Sequence, residues 1–245
     1  MRKNHVFPTP TLNRSIFPAN DSNIADNDTP LDYLPDVSKP AISINVPAAP
    51  ALDKIPGILA PYIDLNSGSW YREYAAYVIA NGLMAGTASN RFSPDAALSR
   101  GMLVTILHRA AGLPAVSVAS GFTDVASGKW YTDAVTWAVL NDLVNGYADG
   151  TFQPNADITR QELAVILWRL AKQMGMDVTS DSAVLLNFTD RDEIASWAAE
   201  AVAWAYQCGI LGGYSDGGMA PTAGASRIEA AAMIARFLEL VEKNR

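Results

Sequence analysis

Large apolar residues recur along most of this chain at helical rather than strand spacing. Three stretches place them at i, i+3, i+4 and i+7: Leu103/Ile106/Leu107/Ala110, Leu163/Ile166/Leu167/Leu170 and Ala230/Met233/Ile234/Phe237. Each predicts an amphipathic helix with one buried stripe. Ahead of each lies an Ala-rich segment, as in "WYTDAVTWAVLND" (130–142), where Trp130, Ala134, Trp137, Ala138 and Asn141 are predicted to share a side. Glu73, Asp133 and Glu200 fall in the first turn of these Ala-rich helices, where the positive end of the helix dipole favours an acid. The connecting segment "GYADGTFQP" has the glycines, the Asp-Gly and the proline of a turn.

The pattern is triplicated. Counted from Trp70, Trp130 and Trp197, the three segments align without a gap for 31 residues. Gly86, Gly146 and Gly213 stand 16 residues on, Phe92, Phe152 and Met219 stand 22 on, and Pro94, Pro154 and Pro221 stand 24 on. Arg100, Arg160 and Arg227 follow at 30, while "YID", "FTD" and "FTD" precede the tryptophans. A two-helix unit cannot bury its apolar stripe alone, so the copies must pack on one another. The expected fold is all-α: three helix–loop–helix repeats at 62–117, 118–183 and 184–245, packed as a bundle with approximate threefold symmetry.

Ten of the 14 prolines fall in residues 1–61, which predicts an extended arm there, either a leader or a segment that orders against a protein partner. The net charge of −7 and pI of about 4.8 argue against a nucleic-acid partner. No apolar run approaches the roughly 20 residues of a membrane span. No secretory signal peptide follows the basic Met1-Arg2-Lys3. The chain lacks H-E-x-x-H, C-x-x-C, G-x-S-x-G and Walker-type motifs, holds two histidines, and presents no carboxylate pair suited to acid–base work. Cys208 aligns with Asn81 and Asn141 at a helix end and reads as a buried or half-buried thiol, not a nucleophile. A non-enzymatic protein with no cofactor and no metal is expected.

The arginines are the anomaly. Thr159-Arg160-Gln161-Glu162 and Ser226-Arg227-Ile228-Glu229 fit the capping box, so the hydroxyl and the glutamate explain the helix start. A cation in that first turn is disfavoured by about 0.3–1 kcal/mol, yet all three copies carry one. The arginine can pair with an acid of a neighbouring repeat, or join helix-start amides in holding an external anion, and the two are compatible if it bridges a neighbour and a ligand.

The opening tryptophan, the loop G-Y-x-D-G-x-F-x-P and the [T/S]-R-x-E of the last helix together resemble the S-layer homology domain, in three tandem copies over about residues 62–241. The resemblance implies a three-pronged, non-catalytic bundle that binds secondary cell-wall polysaccharide bearing pyruvate ketals. It implies grooves between repeats in which the motif arginine contacts the ligand, and a location at the cell surface. Carried onto this chain, the site residues are Arg100, Arg160 and Arg227; Gly82 and Gly209 after the first helix; Asp149 and Asp216 in the loop; and Trp70, Trp130 and Trp197. The tryptophans are open to a second reading as core anchors, and the aspartates to one as turn formers.

The copies are unequal. Repeat 1 lacks the capping glutamate and the Tyr and Asp-Gly of the loop; repeat 2 has Asp142 at the glycine position; repeat 3 has Met219 for Phe and Ala198 for Tyr. The rival expectation is a structural or decoration protein, such as a phage virion component, anchored by residues 1–61 with the bundle as its exposed head.

Overall fold

The computed structural model describes residues 42–66 and 68–245, together with the backbone of His5–Val6. A short helix α1 (Ile55–Leu59) precedes the repeats. Repeat 1 contributes α2 (Arg72–Ala80) and α3 (Arg100–Ala110), repeat 2 α4 (Thr132–Leu140) and α5 (Arg160–Gln173), and repeat 3 α6 (Ala199–Gln207) and α7 (Arg227–Lys243). The described chain is all-α apart from a two-residue antiparallel pairing of His5–Val6 with Gly213–Tyr214 and isolated bridges.

The helices pair across repeat boundaries. α3 packs on α4, α5 on α6, and α7 returns to α2, so each lobe joins the second helix of one repeat to the first helix of the next. The alanines of the first helices make this approach close: Ala75, Ala76, Ala134, Ala138, Ala201, Ala203 and Ala205 are all buried, and every apolar stripe residue of the second helices is buried opposite them. Trp137 and Trp204 are the largest side chains of this core. Their aligned tyrosine, Tyr77, is also buried and donates its hydroxyl hydrogen to the Pro47 carbonyl.

A closed ring of backbone hydrogen bonds marks the pseudo-threefold axis. Leu98 N–H donates to the Ala225 carbonyl, Ala225 to Ile158, and Ile158 to Leu98, at 2.8–2.9 Å. The three second helices therefore start from one hub. Their first two amides are occupied as well: Arg100 and Gly101 donate to Ala156 and Pro154, Arg160 and Gln161 to Ala223 and Pro221, and Arg227 and Ile228 to Ala96 and Pro94. The third amide in each is taken by the capping hydroxyl of Ser99, Thr159 or Ser226. Orphan amides at a helix start need partners, and here the next repeat's proline-bearing loop supplies them.

Two further triplicated features hold those loops. Asp64, Asp124 and Asp190 each accept two consecutive loop amides, those of Phe92/Ser93, Phe152/Gln153 and Met219/Ala220. The second residue of each pair adopts a left-handed backbone (φ 57°, 57° and 50°), a conformation the carboxylate holds against its steric cost. Gly86, Gly146 and Gly213 have no room for a side chain: a Cβ at Gly146 would lie 2.1 Å from the Phe122 ring and 2.7 Å from the Thr151 carbonyl oxygen.

The extended arm expected over residues 1–61 lies largely outside the described residues, but its last third differs from the expectation. Ile44, Ile55 and Leu59 are buried in the core. Asn45 N–H donates to the Ala110 carbonyl, and Arg245 donates to the Ile44 carbonyl. Proline density misled here because Pro56 occupies the first turn of α1, where a missing N–H costs nothing. Among the described residues no helix is long and apolar enough to cross a membrane.

Candidate functional site

The anomalous arginines do not face their own helix ends. Arg160, only 2% exposed, crosses into repeat 3, where Nε donates to the Met219 carbonyl (2.9 Å), Nη2 to the Gly212 carbonyl (2.7 Å) and Nη1 to Glu229 Oε1 (3.1 Å). Its guanidinium lies 4.8 Å over the Tyr214 ring, and the Tyr214 hydroxyl donates to the same Glu229 oxygen. Arg100 repeats the arrangement into repeat 2, reaching the carbonyls of Phe152 and Asn145, Glu162 at 3.4 Å, and the rings of Tyr147 and Phe152. Arg227 closes the circle into repeat 1 through the carbonyls of Phe92 (3.0 Å) and Ala85 (2.6 Å), stacked on Phe92.

Repeat 1 has Thr87 and Met102 where the other repeats have the tyrosine and the capping glutamate. Among the described residues no carboxylate comes within ion-pair distance of Arg227, and burial pushes its pKa down despite the charges of Tyr62 and Asp64. Of the two sequence readings, the structure shows the neighbour-repeat acid for Arg100 and Arg160, and neighbour-repeat carbonyls for Arg227. The other reading loses its amides, since all three at each helix start are already bonded within the protein.

Burial pushes the Glu229 carboxyl up, but Arg160, the Tyr214 hydroxyl and the amide and hydroxyl of Ser226 outweigh it and hold the group below its ordinary value. A depressed carboxylate stabilises the fold above its unfolded pKa and loses that contribution as pH falls through the folded one. Stability is therefore expected to decline as pH drops below about 4.5, the ordinary glutamate value. Urea midpoints measured from neutral pH down to about pH 3 should fall along this limb, and Glu229→Gln should flatten it.

The three opening tryptophans are exposed: Trp70 by 40%, Trp130 by 58% and Trp197 by 54%. The core-anchor reading, and with it the shared face of Trp130 and Trp137, does not hold. Trp70 and Trp130 precede their helices by two residues and Trp197 lies in the 3-10 turn Ser196–Ala198 ahead of α6, so α-helical periodicity does not govern where they point. Trp197 sits on the rim of a groove of about 980 Å³ lined by Arg100, by Asp142 and residues 144–147, and by the outer face of α5, including Arg169 and Lys172. Trp70, Arg160, residues 210–212 and Arg236 line the equivalent place on repeat 3. Each of these grooves thus combines a floor arginine from the preceding repeat, a wall from its own second helix, and a rim tryptophan from the following repeat.

The remaining sequence candidates lie around these grooves. Gly82 and Gly209 have φ +65° and +71° with open space where a Cβ would stand, and Asp142 is held at +54° in the same place. A left-handed helix terminus is what the position demands, and Asp142 brings a carboxylate to the groove edge. Asp149 Oδ1 accepts from the amide and hydroxyl of Thr151, bonds that lower its pKa, and Asp216 Oδ1 accepts the Gly218 amide. Both aspartates thus shape their own turns. Cys208 is half-buried, its thiol pushed up to about 11 by burial. No cluster of His, Cys, Asp or Glu among the described residues is arranged to hold a metal.

One triplicated set went unseen in the sequence. Arg109, Arg169 and Arg236 each stand nine residues beyond a motif arginine, on the outer side of the second helix. They fall past the 31-residue stretch whose repetition is plain, and extending the alignment by nine positions would have revealed them.

Comparison with known proteins agrees with this geometry. The family model described as S-layer homology domain matches residues 61–101, 121–164 and 187–231. Amylopullulanase of Thermoanaerobacterium thermosulfurigenes is 28% identical over 172 residues, 70% of this chain and 9% of that protein. The Surface-layer 125 kDa protein of Lysinibacillus sphaericus is 29% identical over 183 residues, 73% of this chain and 15% of that protein. The Cellulosome-anchoring protein of Acetivibrio thermocellus is 36% identical over 102 residues, 41% of this chain and 22% of that protein. The chain thus spans less than a quarter of the length of these relatives. Three matched segments, coinciding with three structural repeats joined in one ring, place this chain in the S-layer homology domain family.

Proposed function

We propose that this chain attaches non-catalytically to an acidic, pyruvylated cell-wall polysaccharide through its inter-repeat grooves, and so works at the cell surface. The observation that carries the reading is the rim tryptophan: three equivalent indoles stand exposed although the core beside them is closely packed. A large exposed aromatic set against a groove marks an interaction site, and an indole offers a flat apolar face to the C–H face of a sugar ring. Arg100 and Arg160, buried and paired with Glu162 and Glu229, build the groove floor, and the acid group of the glycan meets cations on the groove wall. The loop aspartates, through their turns, set the position of the groove edge. Several weak contacts along one polymer gain strength through effective concentration. Relatives named as surface-layer and cellulosome-anchoring proteins support the same reading.

Trp197→Ala tests it. The side chain is half exposed, so the denaturation midpoint should stay at the wild-type value. Affinity for purified pyruvylated wall polysaccharide should fall about ten-fold, the scale of losing one aromatic anchor. Unchanged binding by the folded variant would remove the rim from the site.

A further inference from the structure

Resting on that wall-binding reading, we infer that the groove of repeat 2 is an open, anion-reading glycan site whose wall cations are Arg169 and Lys172, whereas the matching groove of repeat 3 is stoppered by Tyr74. The two grooves are built alike but differ in size, about 980 Å³ against about 10 Å³. One difference between them stands at the groove wall. Four residues after the opening tryptophan, repeat 1 carries Tyr74, while repeats 2 and 3 carry Ala134 and Ala201.

Because lobes join neighbouring repeats, Tyr74 faces the wall arginine of repeat 3. The Tyr74 ring lies 4.6 Å from the guanidinium carbon of Arg236, and its hydroxyl accepts from Nε (3.0 Å) and Nη2 (2.8 Å). Trp70 leans against the same ring at 6.2 Å. Tyrosine thus occupies the place that a ligand would take, presenting a flat face and an oxygen to the arginine.

In the repeat 2 groove the equivalent residue is Ala201, which lines the groove with Arg169 and leaves its width unfilled. Lys172, a turn beyond the half-buried Arg169, extends 5.0 Å over the Trp168 ring and adds a second cation that the aligned Gly112 and Glu239 do not provide. Asp142, Glu162 and Glu200 line the same space. Cations beside carboxylates suit a ligand carrying both an acid group and hydroxyls: the acid meets Arg169 and Lys172, and the hydroxyls donate to the carboxylates.

The full chain can be titrated calorimetrically with a size-defined pyruvylated wall oligosaccharide. Arg169→Gln combined with Lys172→Gln, both at the surface, is expected to lower affinity about ten-fold or more. Ala201→Tyr should close the groove with a similar loss, and Tyr74→Ala should raise the number of oligosaccharides bound per chain. If the wild-type chain binds and the folded glutamine double variant binds equally well, the assignment of the wall cations is overturned. Should Tyr74→Ala leave the stoichiometry unchanged, the stopper is overturned. A wild-type chain that binds no oligosaccharide would instead refute the wall-binding reading itself.

Discussion

Replacing Arg160 with alanine is expected to cost about 3–5 kcal/mol, the range for removing one partner of a buried ion pair. Arg227→Ala should cost distinctly less. The difference follows from what each side chain leaves behind. Without Arg160, the buried Glu229 loses its guanidinium partner, and the Met219 and Gly212 carbonyls lose their donors. Without Arg227, two carbonyls lose donors, but no buried carboxylate among the described residues loses its counter-ion. Arg160→Lys should not restore stability, because an ammonium cannot span three acceptors set around a planar fork. Urea denaturation of the three variants measures this directly. Equal losses for Arg160→Ala and Arg227→Ala would show that the Glu229 pair contributes nothing of its own. With domain stabilities of about 5–15 kcal/mol, the larger loss would bring the bundle close to unfolding.

Asp190→Ala should be the second severe change, at about 2–4 kcal/mol. Its carboxylate accepts the amides of Met219 and Ala220, and leaving part-buried donors unsatisfied costs about 1–3 kcal/mol for each group. Ala220 would then hold φ 50° without the bond that secures it. The damage should spread beyond repeat 3, because Met219 accepts from Arg160 and Pro221 accepts from Gln161 of repeat 2. A thermal melt with one transition, shifted as a whole, is the expected signature of such coupling. A separate early transition confined to repeat 3 would contradict the closed ring.

The triplication, the second helices with their stripes and the two capping boxes were legible because they depend on neighbours within about one turn. The opening tryptophans were not, since Trp130 lies outside α4 and no periodic rule governs it. The partner of each motif arginine sits 45–69 residues away on the next repeat for Arg100 and Arg160, and 135–142 away for Arg227, so sequence offered two readings and could not choose. The loss of the glutamate in repeat 1 was plain in the sequence. That it is Arg227, in repeat 3, which goes without a carboxylate became visible only once the ring was closed. The "YID" and "FTD" aspartates show in the sequence only as a spacing, and in the structure they clamp the left-handed loops.

The functional claim turns on the acid group of the glycan. Wall polysaccharide carrying its pyruvate ketals, and the same polymer after mild acid has removed them, can be titrated into the full chain under identical salt. If the grooves read the ketal carboxylate, the native polymer binds and the stripped polymer binds at least about ten-fold more weakly, the loss expected for one charge-assisted contact. Equal affinity for the two polymers would contradict it.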